Sequence, residues 1–276
     1  MVEARFLGIF AATFIGLGAP AMAADAFSSE WAVGLKSSAR LLAGDAADGR
    51  IEAGLEIKLA PGAITYWRNP GDAGLPPVLS FEGSTNLAEA RPAFPEPQRL
   101  NKGDGEAFGY DHSVILPIDV KPIDPARPVA LSLKLTYAVC EKICVPAKAD
   151  LQLLLNPDAT RSPYAAAIAE AGTEVPRPVE WASLAGKAKL VAAGDKLWRL
   201  CLAPQAGPQR DLFIEAPERW WFDVVREAAP ASGETCFDVK LEQKPDDAGL
   251  PVKARLTVTG GAGAFETFIS LGDQSL

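Results

Sequence analysis

The segment Leu131-Ser-Leu-Lys-Leu-Thr-Tyr-Ala-Val139 alternates between apolar and polar or small residues and runs directly into Cys140-Glu-Lys-Ile-Cys144. A period of two places one set of side chains on a buried sheet face and the other on a solvated one. A second alternating run, Ala147-Lys-Ala-Asp-Leu-Gln-Leu153, follows the cysteines. Two strands separated by a few residues predict a hairpin with both cysteines at or near its tip. Pro146 supports a break there, because proline cannot donate to a strand ladder.

Other strand signals recur along the chain. Arg50 to Leu59 alternates in part, and Lys196–Leu202, Asp211–Glu215, Glu234–Leu241 and Val252–Val258 read as strands in the second half. Turn punctuation separates them at Pro61-Gly62, Pro70-Gly71, Pro76-Pro77, Pro92 to Pro97 and Gly103 to Gly105. Many short strands with frequent turns predict an all-β chain of two immunoglobulin-like β-sandwich domains. One short helix is expected at 162–172, capped by Ser162, with Pro163 in its first turn and Gly172 at its end. Residues 173–180 carry Pro176 and Pro178 without periodicity and read as a linker. The first domain is thus expected over 28–172 and the second over 181–276.

Residues 1–24 read as a secretory signal: a short charged start, the apolar run Phe6 to Pro20, and Ala21-Met22-Ala23 as the cleavage site. Nothing downstream approaches the ~20 apolar residues of a membrane span, so a periplasmic protein with no span of its own is expected. The net charge of -8 argues against nucleic acid and against an anionic membrane surface. Four cysteines in an exported chain are read as bonded or redox-active.

The two pairs differ in what a bond would accomplish. Closing the five-residue ring of Cys140 and Cys144 removes roughly 2 kcal/mol of unfolded-chain entropy, whereas a bond between Cys201 and Cys236 is worth nearly 4 kcal/mol on the same scale. Short, exposed disulfides exchange readily with partner thiols. Cys140 and Cys144 are therefore expected to form a redox couple, and Cys201 and Cys236 a structural disulfide. Lys142 favours a thiolate and Glu141 opposes one, which leaves the two redox cysteines unranked. No cofactor is expected beyond the couple itself.

A copper-binding protein of a tolerance system is the alternative, since thiolates suit Cu(I); it would use one or two of the same cysteines, with His112 as a further ligand. Against it, the only methionines are Met1 and Met22, both in the signal, and His112 is the only histidine. A structural module with four permanently bonded cysteines is the third reading. Trp220-Trp221 is expected to pack in a core or between domains. No phosphate loop, serine elbow or paired-carboxylate signature is present.

The segment Tyr137 to Pro146, preceded by Tyr66-Trp-Arg-Asn-Pro-Gly-Asp-Ala-Gly-Leu-Pro-Pro77, resembles the N-terminal periplasmic domain of DsbD and ScsB type thiol:disulfide interchange proteins. Leu212 to Trp220 and Val252 to Phe268 are similar to the second sandwich of the ScsB-like members. The resemblance implies a domain that accepts electrons from a membrane-embedded thiol transporter or a thioredoxin-like donor and reduces disulfides on other periplasmic proteins. It assigns Cys140 and Cys144 as the redox pair, Phe108 and then Tyr110 as an aromatic cap over it, and Tyr66 as an aromatic beside it. The cysteine spacing is shorter than in the enterobacterial DsbD domain and suits the ScsB-like branch. The chain ends at Leu276 without transmembrane helices or a thioredoxin module, which implies a separate electron donor.

Overall fold

A computed structural model describes residues 25–72, 74–102, 105–158, 161–227 and 233–272. The expected signal, residues 1–24, lies outside the described residues. The first half forms two facing sheets. One has the order β1 (Ala32–Val33), β2 (Ser37–Ala47), β3 (Arg50–Leu59), β9 (Val114–Pro122), β6 (Leu87–Pro92). The other runs β11 (Cys144–Leu155), β10 (Val129–Cys140), β4 (Ile64–Gly71), β8 (Gly105–Tyr110), β7 (Gln98–Lys102), with β5 (Val78–Ser80) also paired to β10. Every named pairing within these two sheets is antiparallel.

Alternation places the core between the sheets. Leu41, Leu55, Leu116 and Ile118 face Trp67, Leu131, Leu133, Leu135 and Leu151, all buried in one cluster. The odd-numbered residues of β10 that face inward are the apolar ones of the sequence pattern, so the even-numbered residues lie on the outer face.

The second half repeats the architecture with two four-stranded sheets. Their orders are β12 (Arg177–Pro178), β19 (Phe265–Leu271), β18 (Val252–Thr259), β15 (Asp211–Glu215) and β13 (Ala188–Gly194), β14 (Leu197–Leu202), β17 (Thr235–Gln243), β16 (Trp221–Arg226). Trp198, Leu200, Phe237, Val239, Leu256 and Ile269 fill this second core. The chain is thus all-β and immunoglobulin-like, with one α-helix among the described residues, α1 (Ala165–Thr173), between the sandwiches.

Two local expectations are corrected. The helix begins at Ala165, not beside Ser162, because the Ser162 hydroxyl donates to the Ala43 carbonyl and its backbone N–H donates to Asp45. These bonds hold Ser162 against β2. The segment read as a linker without periodicity contributes a short strand, β12, which pairs in parallel with Phe265 and Glu266 of β19.

The sandwiches share apolar and ionic contacts. Within β15, Leu212 and Ile214 enter the second core while Phe213, 1 % exposed, enters the first. Phe213 meets the edges of Trp67 and Phe108 at ring centroid distances of 5.8 and 4.9 Å. Arg68 of β4 binds Glu215 and Glu266, and Arg99 of β7 binds Asp211 and the Leu212 carbonyl.

Candidate redox site

Cys140 ends β10 and Cys144 begins β11, and the two are direct cross-strand partners. Their α-carbons stand 4.0 Å apart and the side chains form a disulfide across the hairpin tip. Glu141, Lys142 and Ile143 make the turn, closed by a hydrogen bond from the Glu141 N–H to the Ile143 carbonyl. The alternation of the two strands fixes the register, and the register brings the sulfurs together.

The two halves of this disulfide are not equivalent. Cys140 is 4 % exposed, within a cluster of Ile64, Tyr66, Leu100, Ala107 and Ala138 on the outer face of the sheet. Cys144 is exposed, beside Ile143 at 74 % exposure. Of the two cysteines, Cys144 is thus the one open to solvent.

Tyr66 reaches both sulfurs. Its hydroxyl lies 2.8 Å from Cys140 Sγ and 3.3 Å from Cys144 Sγ. A disulfide sulfur can only accept, so the phenol donates. Burial raises the phenol pKa above its ordinary 10.0, which keeps the proton in place at neutral pH. β4 is positioned for this contact by its pairing of Ile64 with Cys140 and by a hydrogen bond from the Thr65 hydroxyl to the Ala138 carbonyl. Gly74 lies against the other side of the tyrosine: a β-carbon there would fall 2.6 Å from Tyr66 Cδ1. At the hairpin tip, Lys36 pairs with Glu141 at 3.1 Å and offsets the charge that opposes a thiolate.

Phe108 and Tyr110 do not cap the couple. On β8 they share the inward face, where Phe108 packs on Phe213 and Tyr110 donates to the Pro95 carbonyl. Ala107, just before them and on the opposite face of β8, is the residue that joins the cluster around Cys140. The pairing of β8 with β4 sets this phase. The close approach to Tyr66 comes instead from Gly74, in the segment after β4. The Gly and Pro residues in Pro70-Gly-Asp-Ala-Gly-Leu-Pro-Pro77 are the signal that marks such a close approach.

Cys201 of β14 and Cys236 of β17 are cross-strand partners joined by a disulfide, with α-carbons 4.1 Å apart. Arg199 and Asp238 pair next to them in the same ladder. His112 contacts Asp111 and lines a cleft with Pro95, Arg210 and Asp211, a cleft to which neither Cys140 nor Cys144 contributes. Among the described residues, no group of three or more His, Cys, Asp or Glu side chains is placed to hold a metal ion. No described helix is long and apolar enough to cross a membrane.

Residues 38–156 match the family model of the N-terminal part of the thiol:disulfide interchange protein DsbD. The fold is similar to the crystal structure of the N-terminal periplasmic domain of ScsB from Proteus mirabilis, with a TM-score of 0.70 and 20 % identity over 90 % of this chain and 99 % of that one. A conserved domain protein from Bacillus anthracis aligns over 89 % of this chain and 90 % of its own at 5 % identity, but its TM-score of 0.20 carries no weight. No curated protein matches the chain.

Proposed function

We propose, for a chain whose residues 38–156 form a DsbD/ScsB-type N-terminal domain, that it is a periplasmic thiol:disulfide interchange protein which passes electrons through Cys140 and Cys144 to disulfides of partner proteins. The observation that carries the reading is the asymmetry of the disulfide: Cys144, an exposed residue, is bonded to the buried Cys140, whose sulfur accepts a hydrogen bond from Tyr66. A donor thiolate attacks Cys144 Sγ, and the electron pair of the breaking bond passes to Cys140 Sγ, where the Tyr66 proton stabilises the developing charge. A second donor thiol resolves the mixed disulfide and leaves both cysteines reduced.

In the forward direction the exposed Cys144 thiolate attacks the partner disulfide and Cys140 resolves the intermediate. The donor is a membrane-embedded thiol transporter or a thioredoxin-like domain, and the acceptors are periplasmic disulfide-bearing proteins. The two sandwiches serve as separate domains, 28–172 and 181–276, with Cys201–Cys236 as a structural bond in the second.

The deciding experiment is the equilibrium reduction potential of the Cys140/Cys144 couple, measured by thiol trapping and mass spectrometry on a metal-free Cys201→Ser/Cys236→Ser variant. A value within roughly -120 to -270 mV is expected for an exchange protein, and one below about -300 mV would mark a structural bond.

A further inference from the structure

We propose that the cleft between the two sandwiches, walled by Pro70, Pro76, Trp220 and Trp221, docks the extended, cationic segment that flanks the reactive disulfide of a partner protein. The proposal rests on the redox reading above and adds the surface that selects the partner.

The cleft encloses about 510 Å³. Pro70 at the end of β4 and Pro76 in the segment after it form one wall, and the half-buried Trp220 and Trp221 form the other. Trp220 is held in place by stacking on Phe222 at 6.3 Å and 7°. Flat aromatic and proline walls grip an extended main chain without requiring a particular sequence.

The same short segment joins the cleft to the disulfide. Gly74 sits between Pro70 and Tyr66 so tightly that a β-carbon there would fall 2.5 Å from Pro70 Cβ and 2.6 Å from Tyr66 Cδ1. Pro70 and Pro76 thus line the cleft while Gly74 covers the tyrosine that touches both sulfurs. Beyond them, Leu75 and Val78 are 58 % and 59 % exposed. Val78 stands opposite Thr136, on the sheet face that carries Cys140 and Cys144. A peptide leaving the cleft over Val78 lies on the sheet face that carries the couple.

Charge selects the occupant. The cleft is lined by Glu106, Glu215, Glu218 and Asp223, with Arg68 as the sole cation among its lining residues. Arg68 is committed to Glu215 and Glu266, and Arg99 to Glu106. Glu218 and Asp223 are exposed and form no salt bridge among the described residues, and Lys240, the cation across the ladder from Asp223, is paired with Glu242. The net field is negative and fits lysine or arginine beside the partner's cysteine.

The chemistry served is exchange. The Cys144 thiolate attacks one sulfur of the peptide disulfide, that bond breaks, and its other sulfur leaves as a thiolate. Cys140 then attacks Cys144 Sγ, forming the intramolecular bond and releasing the second peptide thiolate. Two electrons pass to the peptide, and the two protons of the cysteine thiols are balanced by the two peptide thiols formed.

The test uses the full chain in reduced form and three oxidants: oxidised glutathione, and two peptides of equal length linked by a disulfide to glutathione, one with Lys-Pro flanks and one with Glu-Pro flanks. The wild type is expected to react about tenfold faster with the lysine peptide than with the glutamate peptide. Glu218→Lys/Asp223→Lys erases or inverts that ratio, and Glu218→Gln/Asp223→Asn reduces it. The rate with oxidised glutathione changes less than the ratio does.

A control of equal charge change, Glu52→Lys/Glu170→Lys, lies on the strand and helix of the opposite sheet and keeps the wild-type ratio. Absence of a preference in the wild type, its persistence in Glu218→Lys/Asp223→Lys, or an equal loss in the control overturns the cleft. Failure of the wild type to react with oxidised glutathione at all overturns the redox reading itself.

Discussion

The Tyr66 hydroxyl stands 2.8 Å from Cys140 Sγ and 3.3 Å from Cys144 Sγ, so one donor serves both halves of the disulfide. The contact spans 74 residues of sequence and is made possible by the pairing of β4 beside the end of β10.

Tyr66→Phe removes that donor while keeping the ring against Gly74. A hydrogen bond to a charged group contributes about 1.5–3 kcal/mol, which here would stabilise Cys140 as the leaving thiolate. Reduction of the disulfide by dithiothreitol is expected to slow about tenfold, with unfolding free energy changed by less than about 1 kcal/mol. Unchanged kinetics would remove Tyr66 from the exchange step.

Burial ranks the two thiols. Cys140 is 4 % exposed and Cys144 is exposed. In Cys140→Ser, the remaining Cys144 thiol is expected to react with oxidised glutathione at least about tenfold faster than Cys140 does in Cys144→Ser. Mass spectrometry of the mixed disulfides reads both rates, and equal rates would refute the assigned order.

Phe213 links the two cores. It is 1 % exposed and packs edge-on against Trp67 and Phe108. Phe213→Ala is expected to cost about 3–5 kcal/mol and to split urea unfolding into two transitions as the sandwiches lose their shared contact. A single transition with an unchanged midpoint would show that the sandwiches do not depend on this residue.

Acid stability should respond to Asp238. A hydrogen bond from the Arg199 guanidinium, aided by its charge, holds this carboxyl below its ordinary 3.8. On unfolding the ordinary value returns, so the unfolded chain takes up the proton first as the pH falls. The stabilisation is therefore present above pH 3.8 and is lost as pH falls through the lower native value. Asp238→Asn is expected to be less stable at pH 7 and to show a flatter loss between about pH 4 and pH 2. Parallel curves for the two proteins in thermal unfolding would contradict the assignment.

Strand positions were legible wherever one face is apolar and the other polar. β3 spans Arg50–Leu59 and β15 spans Asp211–Glu215, the residues singled out by pattern, and Leu131–Val139 lies within β10. The helix was legible as an element but not in its start, because Ser162 finds bonds in β2 that a cap would otherwise supply. Family likeness points to Tyr66 beside the couple and to Phe108 and Tyr110 as its cap; the Tyr66 hydroxyl touches Cys140 Sγ, while Phe108 and Tyr110 lie on the inward face.

What the sequence determined by itself is local: period-two patterning commits the chain to sheets, and two cysteines flanking a three-residue turn meet across one hairpin whatever surrounds it. Tertiary structure decided which face of β8 points inward, which of the two sulfurs is buried, and which distant residues approach them. Phe213 enters the first core, and Arg68 reaches Glu215 across 147 residues. Alternation specifies that a strand has two faces but not which one a neighbouring sheet will cover. That choice is made by burial of apolar area summed over elements far apart in sequence.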